Sequence, residues 1–355
     1  MSDSRRHFSS AAPTLARTSP ALSHAIIAIA SLHSSLLSAN ERDRHNPSTA
    51  LRHHDRCIEL MVPMLSDRTH AQNDALSLTC IILALYEDLE WGSDSQRHVY
   101  GTSLFLSPTS LTSPLRKAAF WCHLRQEIYA ACSKQRPILS DLDVCPVDKH
   151  FEGADDSVWV HRALWICGLV VQWAFGDNLS VSSWQELVIK VATWVNHAPT
   201  SFLPMYKRDR DPSAGRWFPD ICFATDEQVS GVQFITLAEL LLITHDPSIP
   251  RIGPKMKGAM SNMQDRARSL VFDLCGMGLS NIYVPAGFIG MLAMRMCGGL
   301  FEDDEERRQL IGLLHVIEKK SGWPSAVAEG RLREEWGWDT EAGQPNGTTN
   351  EQQHV

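Results

Sequence analysis

Residues 115–137, LRKAAFWCHLRQEIYAACSKQRP, decide the fold of this chain. Ser113 offers an N-cap hydroxyl and Pro114 a first-turn ring whose missing N–H costs nothing there; Pro137 disfavours helix in the residue before it. The segment between them reads as one helix. Ala118, Trp121, Cys122, Leu124, Ile128, Tyr129 and Cys132 recur at steps of three, four or one and mostly share an apolar stripe, whereas Arg125, Gln126, Glu127, Lys134, Gln135 and Arg136 are polar. Such a helix packs into a core while holding polar groups in fixed positions.

The same pattern extends outward. Ser19 and Pro20 start a helix carrying Leu22, Ile26, Ile29, Ala30, His33, Leu36 and Leu37 mostly on one face. After a polar break at 40–46, Pro47 and Ser48 open a second helix with Leu51, His54, Ile58, Met61 and Leu65 as its stripe. Asn73 caps a third, apolar almost all round from Leu76 to Leu89 and therefore central, which closes at Trp91 and Gly92. Residues 98–111 read as a shorter helix and a loop. Downstream, the acidic stretch 138–153 reads as a connection, and helical periods return over 157–175, 180–196, 226–244, 254–274, 285–297, 303–319 and 324–336. Residues 198–224, with four prolines around a KRDRD run, form the longest loop expected. The ends, 1–18 and 339–355, show no period and read as disordered tails around one domain at 19–338. No alternating run requires a sheet and no repeat recurs. The expected fold is all-α, a large irregular helical bundle of about ten or more helices.

Composition limits what such a bundle does. A net charge of -8 argues against holding nucleic acid by charge alone, since phosphate affinity needs clustered Lys and Arg. Nine cysteines occur without a CxxC pair, the nearest two being Cys122 and Cys132, so they read as small buried residues of a reducing compartment. Arg5, Arg6 and Arg17 interrupt any signal peptide, and the uninterrupted apolar runs, such as 26–30 and 80–85, are too short for a bilayer. A soluble intracellular protein without a membrane role is expected.

The helix AAFWCHLRQEIYAACSKQRP, together with SHAIIAIASLHSSL at 23–36, ALRHHDRCIELM at 50–61 and LSLTCIILALYEDLEWG at 76–92, resembles the fungal-specific transcription factor domain. That domain is the regulatory middle region of fungal zinc binuclear cluster activators. The resemblance covers roughly the first 140 residues and rests on ordered segments rather than on catalytic residues. It implies a nuclear regulator of transcription, a segment after Pro137 that wraps back over the bundle, and contacts with protein partners of the transcription machinery or with a cluster-bearing homologue. DNA would be reached only indirectly, and a small-molecule effector is a further expected partner. The six-cysteine cluster that holds two zinc ions in that family is absent here, which suggests a truncated relative, an incomplete first exon, or a partner that supplies the DNA contact.

Other chemistries read less well. His53, His54 and Asp55 resemble a metal phosphohydrolase core, yet neighbours on a helix point about 100° apart and cannot easily chelate one ion. One buried, bonded His beside a solvated one is the plainer reading. Asp155–Asp156 and Asp303–Asp304 raise a terpene-synthase-like enzyme, the rival class along with a small-molecule binder; FEDDEERR instead resembles a helix start with acids at the positive end of the dipole. GxSxG, GxGxxG and GxxxxGK[ST] are all missing, so no catalytic residue, cofactor or metal is assigned. The eleven tryptophans read as core, a few of them as lining of a cavity. Lys207 to Arg210, broken by Asp209, makes a poor import signal. Contacts to a partner or effector, or else roles in a structural motif, fall to Trp121, Arg125, Gln126, Tyr129, Gln135, Arg136 and Pro137; on the structural reading Arg125 snorkels or pairs with a carboxylate, and Gln135 and Arg136 cap the helix end.

Overall fold

A computed structural model describes residues 6–38, 48–66, 73–91, 102, 106, 111, 113–143, 145–177, 179–281 and 284–338. Among them are twelve α-helices and one two-stranded antiparallel sheet. The fold is an all-α irregular bundle.

Helix starts follow the capping residues. In α2 (Pro20–Leu37) the Ser19 hydroxyl accepts from the Leu22 N–H, and in α4 (Asp74–Trp91) Asn73 Oδ1 accepts from Ala75 and Leu76. The helix first quoted is α5 (Pro114–Lys134), with Ser113 Oγ accepting from Arg116 N. Between α2 and α4 lies α3 (Ser48–Ser66). Beyond α5 come α6 (Asp156–Ala174), α7 (Val181–His197), α8 (Asp226–Thr244), α9 (Met256–Ser280), α10 (Val284–Cys297), α11 (Asp304–Ser321) and α12 (Ala326–Glu335). Thr225 and Gln228 form a capping box at α8, and Asp303 caps α11, so FEDDEERR is indeed a helix start.

Three departures from the sequence reading have physical causes. The supposed tail 1–18 holds α1 (His7–Ala16), packed on α2 and α5; it buries Ala12 alone, so no period shows. The loop 198–224 contains a hairpin of β1 (Tyr206–Arg208) and β2 (Asp220–Cys222), paired Tyr206↔Cys222 through Arg208↔Asp220, and only Ile221 is buried. Strands of three residues are too short for alternation to register. The hairpin also lengthens α9 past 274: Ser280 Oγ accepts from Ile221 N, and Asn281 donates to the Ile221 carbonyl. Close approach requires Gly276, where a Cβ would meet the Pro219 carbonyl at 2.3 Å. The break at 40–46, the tail at 339–355 and all of 98–111 except 102, 106 and 111 lie outside the described residues.

Two apolar clusters organise the interior. One joins α1, α2, α3 and α4 through Leu22, Ala25, Cys57, Leu78 and Leu83; the larger runs from α5 and α6 through α8, α9, α10 and α11. By length and composition α2 alone among the described helices could cross a membrane, which counting uninterrupted runs did not reveal. It packs on α3 and α4 and buries Ala21, Leu22, Ala25, Ala28 and Leu32. At the seam between the clusters stands α5, touching α1, α4, α6 and α10.

Candidate functional site

Lys117 and Lys134 of α5 face solvent, but four of its polar residues do not. Arg116, His123, Gln126 and Glu127 are all buried, so each needs partners inside the protein. They divide between two sides of the helix.

On one side, Glu127 accepts hydrogen bonds from the Leu139 N–H and from the N–H and hydroxyl of Ser140. Burial, against the pull of Glu127, holds His123 below the usual histidine range, and its Nε2 lies 3.4 Å from Ser140 Oγ. These bonds fasten the segment after α5, whose described residues up to 155 are non-helical and continue over α6. Trp165 Nε1 donates to the Leu142 carbonyl at 3.1 Å. Fully buried Arg162 donates to the carbonyls of Asp148 and Glu152 and, at 2.9 Å, to the Asp148 carboxylate. Leu142 presses on Gly168, where a Cβ would stand 3.2 Å away. The segment after Pro137 therefore wraps back over the bundle.

On the other side, Arg125, Gln126 and Tyr129 face a cavity of about 480 Å³. That volume suits a small molecule, for which roughly 300–1,000 Å³ is usual. Ile29, Ala30 and His33 of α2 and Leu85, Asp88 and Leu89 of α4 supply one half of its wall. Ser230, Gln233 and Phe234 of α8, Phe288 and Ile289 of α10, and Lys320, Ser321 and Trp323 at the end of α11 supply the other. The rings of Phe288 and Trp323 pack at a tilt of 37° with centroids 4.2 Å apart. Across the seam, His33 Nε2 donates to the Ser321 carbonyl at 2.8 Å, joining residues 288 positions apart.

The polar groups of this wall are partly committed. Gln233 Nε2 donates to the Ala286 carbonyl at 2.8 Å, and Gln126 Nε2 to the Ile81 carbonyl at 3.3 Å. Gln126 Oε1 is buried and has no hydrogen-bond partner among the described residues. Burial, with Glu87 alongside, pushes the Asp88 carboxyl up to about 8, so it is largely protonated at neutral pH. Burial likewise raises the Tyr129 hydroxyl, against hydrogen bonds from Arg295 and Trp323.

Of the seven residues picked from the sequence, Arg125, Gln126 and Tyr129 thus share one cavity. Trp121 is buried elsewhere, stacked on His161 at 4.1 Å. Gln135, Arg136 and Pro137 sit at the helix end. Gln135 takes a left-handed conformation (φ 50°), Arg136 N returns to the Ala131 carbonyl, and the Arg136 guanidinium donates to the Pro137 carbonyl. Gln135 also borders a smaller cavity of about 370 Å³ with His245 and Met296. Asp88, Gln233, Phe288 and Trp323 were not singled out, although an acid pair in the otherwise apolar run 76–89 is a readable signal for the first.

The rival motifs resolve into local contacts. His53 and His54 are each half-buried: Nδ1 of His53 lies 2.8 Å from Nδ1 of His24, and His54 stacks on Tyr86. This replaces the expected buried-and-solvated pair. Asp156 accepts from Ser201 Oγ and Gln228 Nε2. Among the described residues no three His, Cys, Asp or Glu side chains gather as metal ligands. Burial pushes the thiols of Cys57, Cys80, Cys145 and Cys297 up to about 12, which keeps them protonated.

An all-α bundle with a lined cavity at its seam defines the class. Within it, residues 1–118 match the family model of the fungal specific transcription factor domain. The family is not one of enzymes. The matched span contains the resembling segments at 23–36, 50–61 and 76–92 and ends in the first turns of α5. No curated protein and no solved structure matches the chain.

Proposed function

We propose that the chain acts in the nucleus as a ligand-responsive regulator of transcription. A small effector occupies the cavity at the seam, and its occupancy sets how the helical surface meets proteins of the transcription machinery or a cluster-bearing homologue. DNA is reached through those partners. The supporting observation is the make-up of the cavity: α2 and α4, from the family-matching span, form one half, and α8, α10 and α11 form the other. A molecule bound there touches both halves, so it favours whichever packing of the two it fits best, by as much as its affinities for the packings differ.

The experiment is to tether the full chain to a heterologous DNA-binding domain and read a reporter. The expected result is an output changed several-fold from that of the DNA-binding domain alone, and altered again by Ala30→Trp, which fills the cavity from the exposed face of α2. Output equal to the bare DNA-binding domain overturns the regulatory reading. It would leave the rival reading, a small-molecule binder on the same bundle, which the cavity also supports.

A further inference from the structure

We infer that the cavity takes an amphipathic organic anion, an apolar body carrying one carboxylate that meets Arg125 and Lys320. This names the chemistry of the effector and so rests on the ligand-responsive reading above.

Three observations carry it. Two cations line the cavity: Arg125 of α5, half-buried, and Lys320 at the end of α11, exposed. A half-buried guanidinium holds a carboxylate more firmly than a fully hydrated one does, because less water competes and its fork of N–H groups matches both oxygens. Arg125 also interacts elsewhere in the chain, and five N–H donors let it serve a second acceptor without giving up the first. The wall itself supplies little negative charge. Asp88 is the acid among the described residues that line it, and burial keeps that carboxyl largely protonated at neutral pH. A bound ammonium would therefore face two like charges. The rest of the wall is mostly apolar, with Leu85, Leu89, Phe234, Phe288, Ile289 and Trp323 around about 480 Å³. A small inorganic anion would leave that surface uncovered, whereas an apolar body of drug-like size buries it.

The test compares probes that share one aromatic body. Binding of 1-naphthoate, 1-naphthol and 1-naphthylmethylammonium to the full chain is measured by calorimetry at pH 7. The expected order puts 1-naphthoate first, about tenfold tighter than the uncharged naphthol, with the ammonium weakest. Arg125→Gln should bring naphthoate down to the affinity of naphthol and leave naphthol unchanged. Lys320→Glu alters an exposed side chain, so it keeps the test open even where Arg125→Gln does not fold; it should weaken naphthoate several-fold and narrow its lead over the ammonium. Ala30→Trp should abolish binding of naphthoate and naphthol alike. Naphthol or the ammonium binding as tightly as naphthoate, no binding of any probe, a naphthoate preference that Lys320→Glu leaves intact, or binding that survives Ala30→Trp overturns the inference. The reporter experiment is unaffected by such a result, so loss of the ligand chemistry and loss of the regulatory role can be told apart.

Discussion

The two buried polar sides of α5 differ in how far their hydrogen-bonding capacity is met. Glu127 has its carboxylate filled by Leu139 and Ser140, and Arg162 spends three nitrogens on the same returning segment. One helical step away, Gln126 keeps an unbonded oxygen beside a 480 Å³ cavity. The Glu127 and Arg162 bonds of the first arrangement close within the chain, while His123 Nδ1 beside them is buried without a hydrogen-bond partner among the described residues. The second leaves one acceptor unbonded among the described residues. A buried polar group whose partners lie in its own chain serves the fold.

Substitutions should separate the two sides in size as well as in kind. Glu127→Ala is expected to have the largest effect, about 3 kcal/mol of lost stability by urea unfolding, because it strands the N–H groups of Leu139 and Ser140. Arg162→Met should cost about 2 kcal/mol, since its apolar stem is replaced while the carbonyls of Asp148 and Glu152 lose their donor. A loss below about 0.5 kcal/mol for both would break the contrast.

Asp88 sharpens it through pH. Its folded carboxyl titrates near 8 rather than near the ordinary 3.8, so between those values the folded chain holds a proton that the unfolded chain has released. Stability therefore falls as pH rises from about 4 to about 8, and this contribution is flat outside that window. Asp88→Asn should remove this share of the slope in urea midpoints taken at pH 5 and pH 8; an unchanged slope would place the carboxyl in water. The smallest effect belongs to Gln126→Leu. It gives up one 3.3 Å bond and removes an unbonded oxygen, so stability should stay within about 1 kcal/mol of the parent. A loss as large as that of Glu127→Ala would make Gln126 structural too.

Much of the bundle was legible because its signals are local. Ser19, Asn73 and Ser113 announce helix starts through side chains that bond a backbone N–H two or three residues on, and the structure places a helix after each. What stayed hidden depends on the third dimension. Nothing in the order of letters says that Glu127 meets Ser140 while Gln126 does not, because both are polar residues in an apolar helix. The cavity joins residues as distant as Ile29 and Trp323, so Arg125, Gln126 and Tyr129 could be picked from their helix, but Asp88, Gln233 and Phe288 could not be joined to them. The hairpin of β1 and β2 escaped for a simpler reason: it buries Ile221 and little else.

Hydrogen exchange of the full chain with and without 1-naphthoate tests the contrast most directly, because it reads both sides of α5 in one experiment. The account predicts slowed exchange in the wall segments of α2, α4, α8, α10 and the end of α11 together, with residues 138–150 unchanged. Slowing confined to 138–150, or equal on both sides, would contradict it.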